Sequence, residues 1–198
     1  MDRALLVATR TATDELQVAA FSDPLTGCSN RRAFERDIER ELARCARAEL
    51  DLCVIAVDID GLKAVNDSQG HAAGDRVLLQ VVETFRRAMR SLDSVYRLGG
   101  DEFVLLLPDT STDDAATVMS RMEQFGPPAF SWGVASYVSS GTNDVALLLA
   151  EADDALYDAK RSGKAKVGDS GPRPPDSPDV PDSERRPISR IGVPEHDT

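Results

Sequence analysis

The sequence has few cysteines and few histidines, and this scarcity excludes several kinds of site. The three cysteines, Cys28, Cys45 and Cys53, are odd in number and have neither metal-type nor redox-type spacing. We therefore expect packed thiols in a reducing cytoplasm rather than a disulfide framework. The two histidines, His71 and His196, have no clustered cysteine or second histidine beside them, which argues against a zinc-type metal site.

Long apolar runs and an excess of positive charge are also missing. No apolar run approaches the ~18 residues of a membrane-spanning helix, and the first residues have too short an apolar stretch for a secretory signal. The net charge of −11 argues against nucleic acid or an anionic membrane surface as the main partner. A phosphorylated small molecule stays compatible with this charge if metal ions and a few lysines compensate for it locally.

The composition predicts one folded domain with two flanking segments. With 198 residues and 41% hydrophobic content, the chain can bury one sizeable core. Residues 1–20 carry a narrow apolar stripe at helical spacing, which predicts a helix that either pairs with a second copy or lies on its own domain. We assign the folded domain to residues 21–167. From residue 168 onward, seven of the eleven prolines stand among polar residues, so we predict a disordered tail at 168–198.

Periodicity within the folded domain predicts an α+β fold. A continuous apolar run at 52–57 is typical of a strand buried on both faces. A helix capped by Asn30 is predicted to run to about Ala48. The other predicted elements are helices at 72–89, 112–124 and 145–161, strands at 94–97, 103–107 and 129–137, and a polar loop at 61–71. Such an order gives a sheet covered by helices on one or both faces.

The turn between two of the predicted strands carries two glycines followed by two carboxylates: Gly99, Gly100, Asp101 and Glu102. Adjacent glycines predict a tight hairpin turn, because glycine accepts positive φ angles and lets a ligand approach the backbone. Two carboxylates there gather negative charge that little in the sequence stabilises. A bound cation is one interpretation, and a solvated hairpin tip is the other.

A second acidic position lies at the end of the predicted buried strand. If that strand neighbours the hairpin, the carboxylates of Asp58 and Asp101 meet at one sheet edge and form a hard-oxygen site suited to magnesium. Lys63 follows Asp58 by five residues, where an ammonium group can serve a phosphate. Asn66 and Asp75 supply amide and carboxylate groups that can read a nucleobase edge. The sequence lacks both the GxxxxGK[ST] phosphate loop and the GxGxxG dinucleotide fingerprint, which removes the commonest alternatives.

Several blocks of the sequence together resemble the GGDEF domain of bacterial diguanylate cyclases. The signature stands intact at 99–103, and the other blocks follow the family order at near-family spacing over about residues 21 to 166. Those blocks are Asp-Pro-Leu-Thr-Gly at 23–27, Asn-Arg-Arg at 30–32, the acidic stretch 58–75, Ser-Trp-Gly-Val-Ala at 131–135, and the helix segment 152–160. The number and order of the blocks make the resemblance specific.

The resemblance implies a sheet-and-helix fold like that of nucleotidyl cyclases and polymerase palms, with the GGDEF turn on a β-hairpin. It implies that two GTP-loaded subunits, acting as a homodimer, condense their substrates into cyclic di-GMP and pyrophosphate. Asp58, the main-chain carbonyl of Ile59 and Asp101 would hold magnesium, with manganese as the alternative. Glu102 would assist deprotonation of the attacking 3′-hydroxyl, a step to which the metal contributes most.

The same resemblance assigns the substrate contacts. Lys63 would bind the phosphates, with Lys160 and Lys164 reaching them from the last helix. Asn66 and Asp75 would recognise guanine, since a carboxylate accepts from both N1–H and the exocyclic amine of that base. The remaining residues of the implied substrate site lie in the loop and turn beside these groups: His71, Gly99 and Gly100.

A product-binding site is implied upstream of the turn. Arg90 and Asp93 match the family's RxxD inhibitory motif, in which a guanidinium fork suits a phosphodiester and a carboxylate takes guanine donors. Arg44 stands where a second inhibitory arginine is sometimes found. The alternative interpretations are a charged helix end for Arg90 and a solvated helix face for Arg44.

Departures from the family pattern leave a second function open. Gly61 and Leu62 stand where larger residues are usual, and Lys164 replaces the usual arginine, which exchanges a bidentate fork for a point charge. We expect an active diguanylate cyclase; the alternative is a catalytically silent domain that acts as a cyclic di-GMP receptor or as a GTP-binding regulator. An upstream sensory partner is a further expectation, because such domains usually follow a module that sets their dimer geometry.

Overall fold

The computed structural model describes residues 19–142, 144–162 and 166–167. The predicted tail at 168–198, Lys164, and all but the last two residues of the predicted helix at 1–20 lie outside the described residues. The described strands are β1 (Ser29–Asn30), β2 (Leu52–Ile59), β3 (Ser94–Gly99), β4 (Glu102–Pro108), β5 (Phe130–Ser136) and β6 (Lys166–Val167). The helices are α1 (Arg31–Ala48), α2 (Leu62–Gln69), α3 (His71–Ala88), α4 (Thr112–Gln124), α5 (Tyr137–Ser140) and α6 (Val145–Ser162).

The six strands form one sheet in the order β1-β3-β4-β2-β5-β6. β2 is antiparallel to both of its neighbours, β4 and β5, so it lies at the centre. β3 and β4 pair as the predicted antiparallel hairpin. The two-residue strands β1 and β6 run parallel to their neighbours at the edges. Among the described residues, no helix is both long and apolar enough to span a membrane.

β2 is buried on both faces, as its continuous apolar run predicts. Ile55 and Val57 face a core that they share with α3 and α4. Val54 and Ala56 face a second core, built with α1 and α6. Alternate residues of a strand point to opposite faces, so this one strand supplies both cores. Helices therefore cover the two faces of the sheet and leave its ends for other groups.

The prediction of a polar loop at 61–71 is wrong, because residues Leu62–Gln69 fold as the helix α2. Leu62 is the one buried residue of α2, and no side chain caps the helix at Gly61. Neither an apolar period nor a capping residue therefore marks this helix in the sequence. As a consequence, Lys63 lies in the first turn of a helix.

Asn30 begins α1 as predicted. Its Oδ1 accepts a hydrogen bond from the main-chain nitrogen of Ala33 at 3.1 Å. Its Nδ2 donates to the carbonyl oxygens of Ala20 at 2.9 Å and Ser22 at 3.2 Å. The cap thereby ties the segment that leads into the domain to the start of the first helix, and such caps contribute about 1 kcal/mol.

The three cysteines are packed thiols, as their spacing suggests. Cys28, Cys45 and Cys53 are all free and buried. Burial raises the pKa of each thiol, so none is activated as a thiolate. Cys53 donates through its Sγ to the carbonyl oxygen of Thr110 at 3.1 Å, which is a contact within the core.

Candidate active site

The end of β2 and the hairpin turn lie side by side. Asp58 is directly opposite Glu102 in the β2–β4 ladder, and the main-chain nitrogen of Ile59 donates to the carbonyl oxygen of Asp101 at 3.1 Å. The buried strand β2 and the hairpin are therefore neighbours, which is the condition for a shared acidic site. Residues directly opposite in an antiparallel pair point to the same face, so Asp58 and Glu102 share the face covered by α6.

A pocket of about 480 Å³ opens at this edge of the sheet. It gathers five of the predicted site residues from three parts of the chain: Asp58, Ile59, Lys63, Asp101 and Lys160. The rest of its lining is Asp60, Gly61, Leu62 and Ser131. The pocket therefore combines carboxylate oxygens with two ammonium groups, which is a donor set for a cation together with a polyanion.

Burial and neighbouring charges both act on the Asp58 carboxyl. Burial raises its pKa, and the neighbouring charges of Asp101 and Asp60 raise it further. Lys160 opposes this shift, because its Nζ lies 2.8 Å from the Asp58 Oδ1. The pocket thus concentrates negative charge that one lysine compensates in part, and a cation beside Asp58 would be stabilised there.

The GGDEF turn has the backbone that its glycines predict. Gly99 has φ 155° and Gly100 has φ 52°. A Cβ atom at either position would meet no atom within 4 Å beyond the adjoining residues, so backbone conformation, and not crowding, requires glycine. A larger residue would strain the turn that presents Asp101.

Arg97 stabilises this turn through hydrogen bonds. Its Nη2 donates to the carbonyl oxygen of Gly100 at 2.8 Å, and its Nη1 lies 3.0 Å from the Asp23 Oδ1. Asp23 in turn accepts from the main-chain nitrogen of Thr26 at 2.8 Å. This pairing of Arg97 with Asp23 joins the turn at 23–27 to the acidic hairpin.

Asn66, one of the predicted base-reading residues, lies where α2 packs on α3. A Cβ atom at Gly74 would lie 2.0 Å from the Asn66 Oδ1, so the Asn66 side chain rests directly against the α3 backbone. Asp75 is the next residue of α3 and is exposed. His71 is the exposed first residue of the same helix. The structure therefore brings Asn66 beside the residue that precedes Asp75.

Asp60 and Ser131 also line the pocket, although neither is among the site residues predicted from the sequence. The Ser131 hydroxyl donates to Asp60 Oδ1 at 2.9 Å, and the Asp60 main-chain nitrogen donates to the carbonyl oxygen of Ala129 at 3.0 Å. Together with buried Leu62, these contacts fix the segment that carries Lys63. The repeated acid at 58 and 60 is the one sequence signal that marks Asp60.

The RxxD segment forms a closed turn after α3. The Asp93 Oδ2 accepts from the main-chain nitrogen of Arg90 at 2.7 Å, and the Arg90 side chain is exposed. Burial raises the pKa of Asp93, while the charges of Arg90 and Arg121 lower it in part. Arg121 also donates to the carbonyl oxygen of Ala88. Arg121, on α4, is thus a second arginine beside this turn, and no spacing in the sequence identifies it.

Arg44 lies elsewhere. It is on α1, which packs on the face of the sheet opposite to α3, and its Nε lies 2.7 Å from the Glu41 Oε2. The structure therefore does not bring Arg44 to Arg90 and Asp93 within one chain.

Comparison with known families matches residues 20–166 to the family described as diguanylate cyclase, GGDEF domain. The chain is 36% identical over 160 residues to diguanylate cyclase DgcP of Pseudomonas aeruginosa, a match that covers 75% of this chain and 24% of DgcP. It is 34% identical over 161 residues to diguanylate cyclase DgcM of Escherichia coli, covering 78% of this chain and 39% of DgcM. The chain therefore spans only a quarter to two fifths of the length of these relatives.

Solved structures show the same similarity. The coiled coil and GGDEF domain of DgcB from Caulobacter crescentus, in complex with c-di-GMP, gives a TM-score of 0.74 at 25% identity, covering 84% of this chain and 94% of that one. Diguanylate cyclase SiaD from Pseudomonas aeruginosa, in complex with its activator SiaC, gives 0.63 at 31% identity, covering 83% and 67%.

Fold and site together define an α+β domain of the nucleotidyl-cyclase type, with an acidic hairpin at one end of its sheet, and the solved neighbours confirm this predicted class. The chain belongs to the GGDEF domain family of diguanylate cyclases. The family assignment that the sequence motifs suggest is therefore confirmed.

Proposed function

We propose that this domain acts as a homodimer and, with magnesium, condenses two molecules of GTP into cyclic di-GMP and two of pyrophosphate. One observation carries the proposal: two carboxylates and two lysines converge in one pocket at the hairpin, namely Asp58, Asp101, Lys63 and Lys160. Relatives named diguanylate cyclase and a neighbour in complex with c-di-GMP support it. Because GTP is an intracellular nucleotide, the proposal includes a cytoplasmic location.

The donor set of the pocket fits magnesium or manganese, since hard cations prefer oxygen ligands. Asp58 and Asp101 would hold the metal, with the main-chain carbonyl of Ile59, which lines the same pocket. In the described part of the chain, no three acidic, histidine or cysteine side chains form a metal cluster, so phosphate oxygens and water would complete the ligands. The bound metal would polarise the α-phosphate and lower the pKa of the attacking hydroxyl.

In the proposed reaction, the 3′-oxygen of one GTP attacks the α-phosphorus of the other. A phosphodiester bond forms, the α–β phosphoanhydride bond breaks, and pyrophosphate leaves with the electron pair of that bond. Glu102, on the same face as Asp58, would take the hydroxyl proton and pass it to solvent. Lys63 and Lys160 would hold the negative charge that builds up on the phosphates.

Guanine selection is assigned to the junction of α2 and α3. Asn66 lies against Gly74, and the exposed Asp75 is the next residue of α3, so we assign the amide and the carboxylate to one guanine. Asp75 would accept from N1–H and the exocyclic amine of guanine, groups that adenine does not offer in that arrangement. His71, Gly99 and Gly100 would border the nucleotide, and Lys164 would add a further charge to its phosphates.

Dimerisation follows from the chemistry of the product. Cyclic di-GMP contains two equivalent phosphodiester bonds, and a two-fold arrangement of two GTP-loaded domains would form both. SiaD is solved with an activator protein, which supports control of this domain by an upstream or separate partner.

Product inhibition is assigned to the turn at Arg90 and Asp93. The exposed Arg90 guanidinium would bind the phosphodiester or guanine, and Asp93 would take guanine donors. Arg121, whose charge acts on Asp93, would be the third residue of this site. Arg44 would join from a second copy, because it lies on the opposite face of its own sheet.

Turnover of GTP by the purified protein in magnesium tests the catalytic assignment. Asp101→Ala should lower the rate of cyclic di-GMP formation by at least about 100-fold, because it removes one ligand of the metal that would polarise the reacting phosphate. Glu39→Gln, which removes an exposed carboxylate from α1, is the control and should retain full activity. Equal rates for Asp101→Ala and the control would contradict the assignment.

Inhibition by added cyclic di-GMP tests the product site. Arg90→Ala should keep its initial rate and raise the inhibitory concentration about tenfold or more, because a charged hydrogen-bonding group is lost. The receptor alternative makes a different prediction: calorimetry would show binding of cyclic di-GMP that depends on Arg90, while the dimeric protein forms no product from GTP.

A further inference from the structure

Lys160 has two assignments in the pocket that compete with each other. Its Nζ lies 2.8 Å from the Asp58 Oδ1, and the proposed function also assigns it to the phosphates. One ammonium group cannot hold both partners at full strength. We infer that Lys160 is the resident counter-ion of Asp58, which an incoming metal displaces and which the triphosphate then captures. This inference rests on the proposed function.

The surroundings of Asp58 explain why it needs a resident cation. Its side chain is 19% exposed, whereas that of Lys160 is 40% exposed. A carboxylate in such a setting is costly to leave uncompensated. The nearby acids Asp60 and Asp101 add to the negative charge, and Lys160 is the cation that acts directly on Asp58. Because the Lys160 side chain is the more exposed of the two, separating the ion pair costs less free energy when Lys160 moves into solvent than when Asp58 does.

The packing of α6 on the sheet holds Lys160 within reach. A Cβ atom at Gly133 of β5 would lie 2.1 Å from the main-chain nitrogen of Leu156 and 2.6 Å from the carbonyl oxygen of Ala152. The α6 backbone therefore lies directly on β5, and β5 is the neighbour of β2. Lys160, one helical turn beyond Leu156, reaches Asp58 because Gly133 lets α6 lie this close to β5.

The exchange predicts cooperative binding. A metal that arrives alone must break the ion pair and then lies near a freed ammonium group, which repels it. A triphosphate gives that ammonium group a new partner and removes the penalty. Metal and nucleotide therefore each strengthen the binding of the other, since such coupling is reciprocal.

Binding of Mn²⁺ alone, followed by electron paramagnetic resonance of the free ion, tests the exchange. Lys160→Met and Lys160→Gln should each bind Mn²⁺ about fivefold or more tightly than the unmodified protein. Both should bind a non-hydrolysable GTP analogue about tenfold more weakly in the presence of metal. Arg161→Gln removes the next charge on the same helix, from a side chain whose guanidinium lies 5.7 Å from the Tyr157 ring centroid, and it should leave the Mn²⁺ affinity within about twofold.

Two outcomes would overturn the inference: unchanged or weaker Mn²⁺ binding in both Lys160 variants, or equal tightening in Arg161→Gln, which would show a general charge effect. Asp58→Asn should abolish the binding and so locate it. If the unmodified protein binds Mn²⁺ with the GTP analogue but the Lys160 variants show no gain, the inference fails and the proposed function stands. If no variant binds Mn²⁺ even with the analogue, both fail.

Discussion

At the scale of single residues, burial and neighbouring charges together set the pKa of the Asp58 carboxyl. Burial raises its pKa, neighbouring acids add to the effect, and Lys160 acts in the opposite direction. The residue type and its place at a strand end could be read from the sequence. The 2.8 Å pairing with Lys160 could not, because it depends on a helix that begins 87 residues later.

A substitution at Asp23 tests whether its ion pair with Arg97 stabilises the hairpin. Burial alone would raise its pKa, but hydrogen bonds from Thr26 and the charge of Arg97 lower it overall. A carboxyl group whose pKa is lowered by folding stabilises the folded protein at pH values above its pKa in the unfolded chain, which is about 3.9. This stabilisation is lost as the pH falls through the pKa of the group in the folded protein. Asp23→Asn should therefore lower the free energy of unfolding by about 1 kcal/mol at neutral pH.

Urea unfolding of both proteins from pH 7 down to about pH 3 measures this difference. The gap between Asp23→Asn and the unmodified protein should narrow as the pH falls below about 4. The exposed Glu39→Gln controls for the loss of one carboxylate. A gap that stays constant with pH, or one that the control reproduces, would show that the charge of Asp23 does not stabilise the hairpin.

At the scale of elements, contact between α2 and α3 sets the position of Asn66. Gly74→Ala places a Cβ atom only 2.0 Å from the Asn66 Oδ1 atom. Because this distance is too short for two atoms that are not bonded, the Asn66 amide must move. We expect the KM for GTP to rise about tenfold, the cost of about one lost hydrogen bond, with kcat much less affected. Steady-state kinetics with GTP measures both constants.

A double-mutant cycle separates this effect from a general loss of stability. In an Asn66→Ala background, Gly74→Ala should raise the KM no further, because the displaced side chain is already gone. An equal additional increase in that background would show that Gly74 acts through the helix alone.

Most elements could be predicted from sequence because their signals are local. The apolar periods of α1, α3, α4 and α6, the Asn30 cap and the glycines of the turn each identify an element within a few residues of its observed bounds. α2 could not be predicted, since it buries a single residue and has no side-chain cap. The two-residue strands β1 and β6 are too short for any period to appear.

At the scale of the whole molecule, the sequence could not predict that β2 and the hairpin are neighbours. It could predict only that Asp58 and Asp101 would meet if they were. The strand order fulfils that condition and brings Asp58, Lys63, Asp101 and Lys160 to one pocket. Arg121 and Ser131 join their sites through tertiary packing. The block at 131–135 includes Ser131 but gives it no site role, and no motif includes Arg121. Tertiary contacts therefore completed a site whose central acids were already visible in the sequence.

The central claim is that two copies of this domain condense two molecules of GTP. The rate of cyclic di-GMP formation, measured by chromatography against protein concentration in GTP and magnesium, tests it most directly. We predict a rate that rises with the square of the protein concentration while monomers predominate and becomes linear once dimers form, as light scattering would report on the same samples. Absence of cyclic di-GMP from a sample that is dimeric by light scattering would contradict the claim.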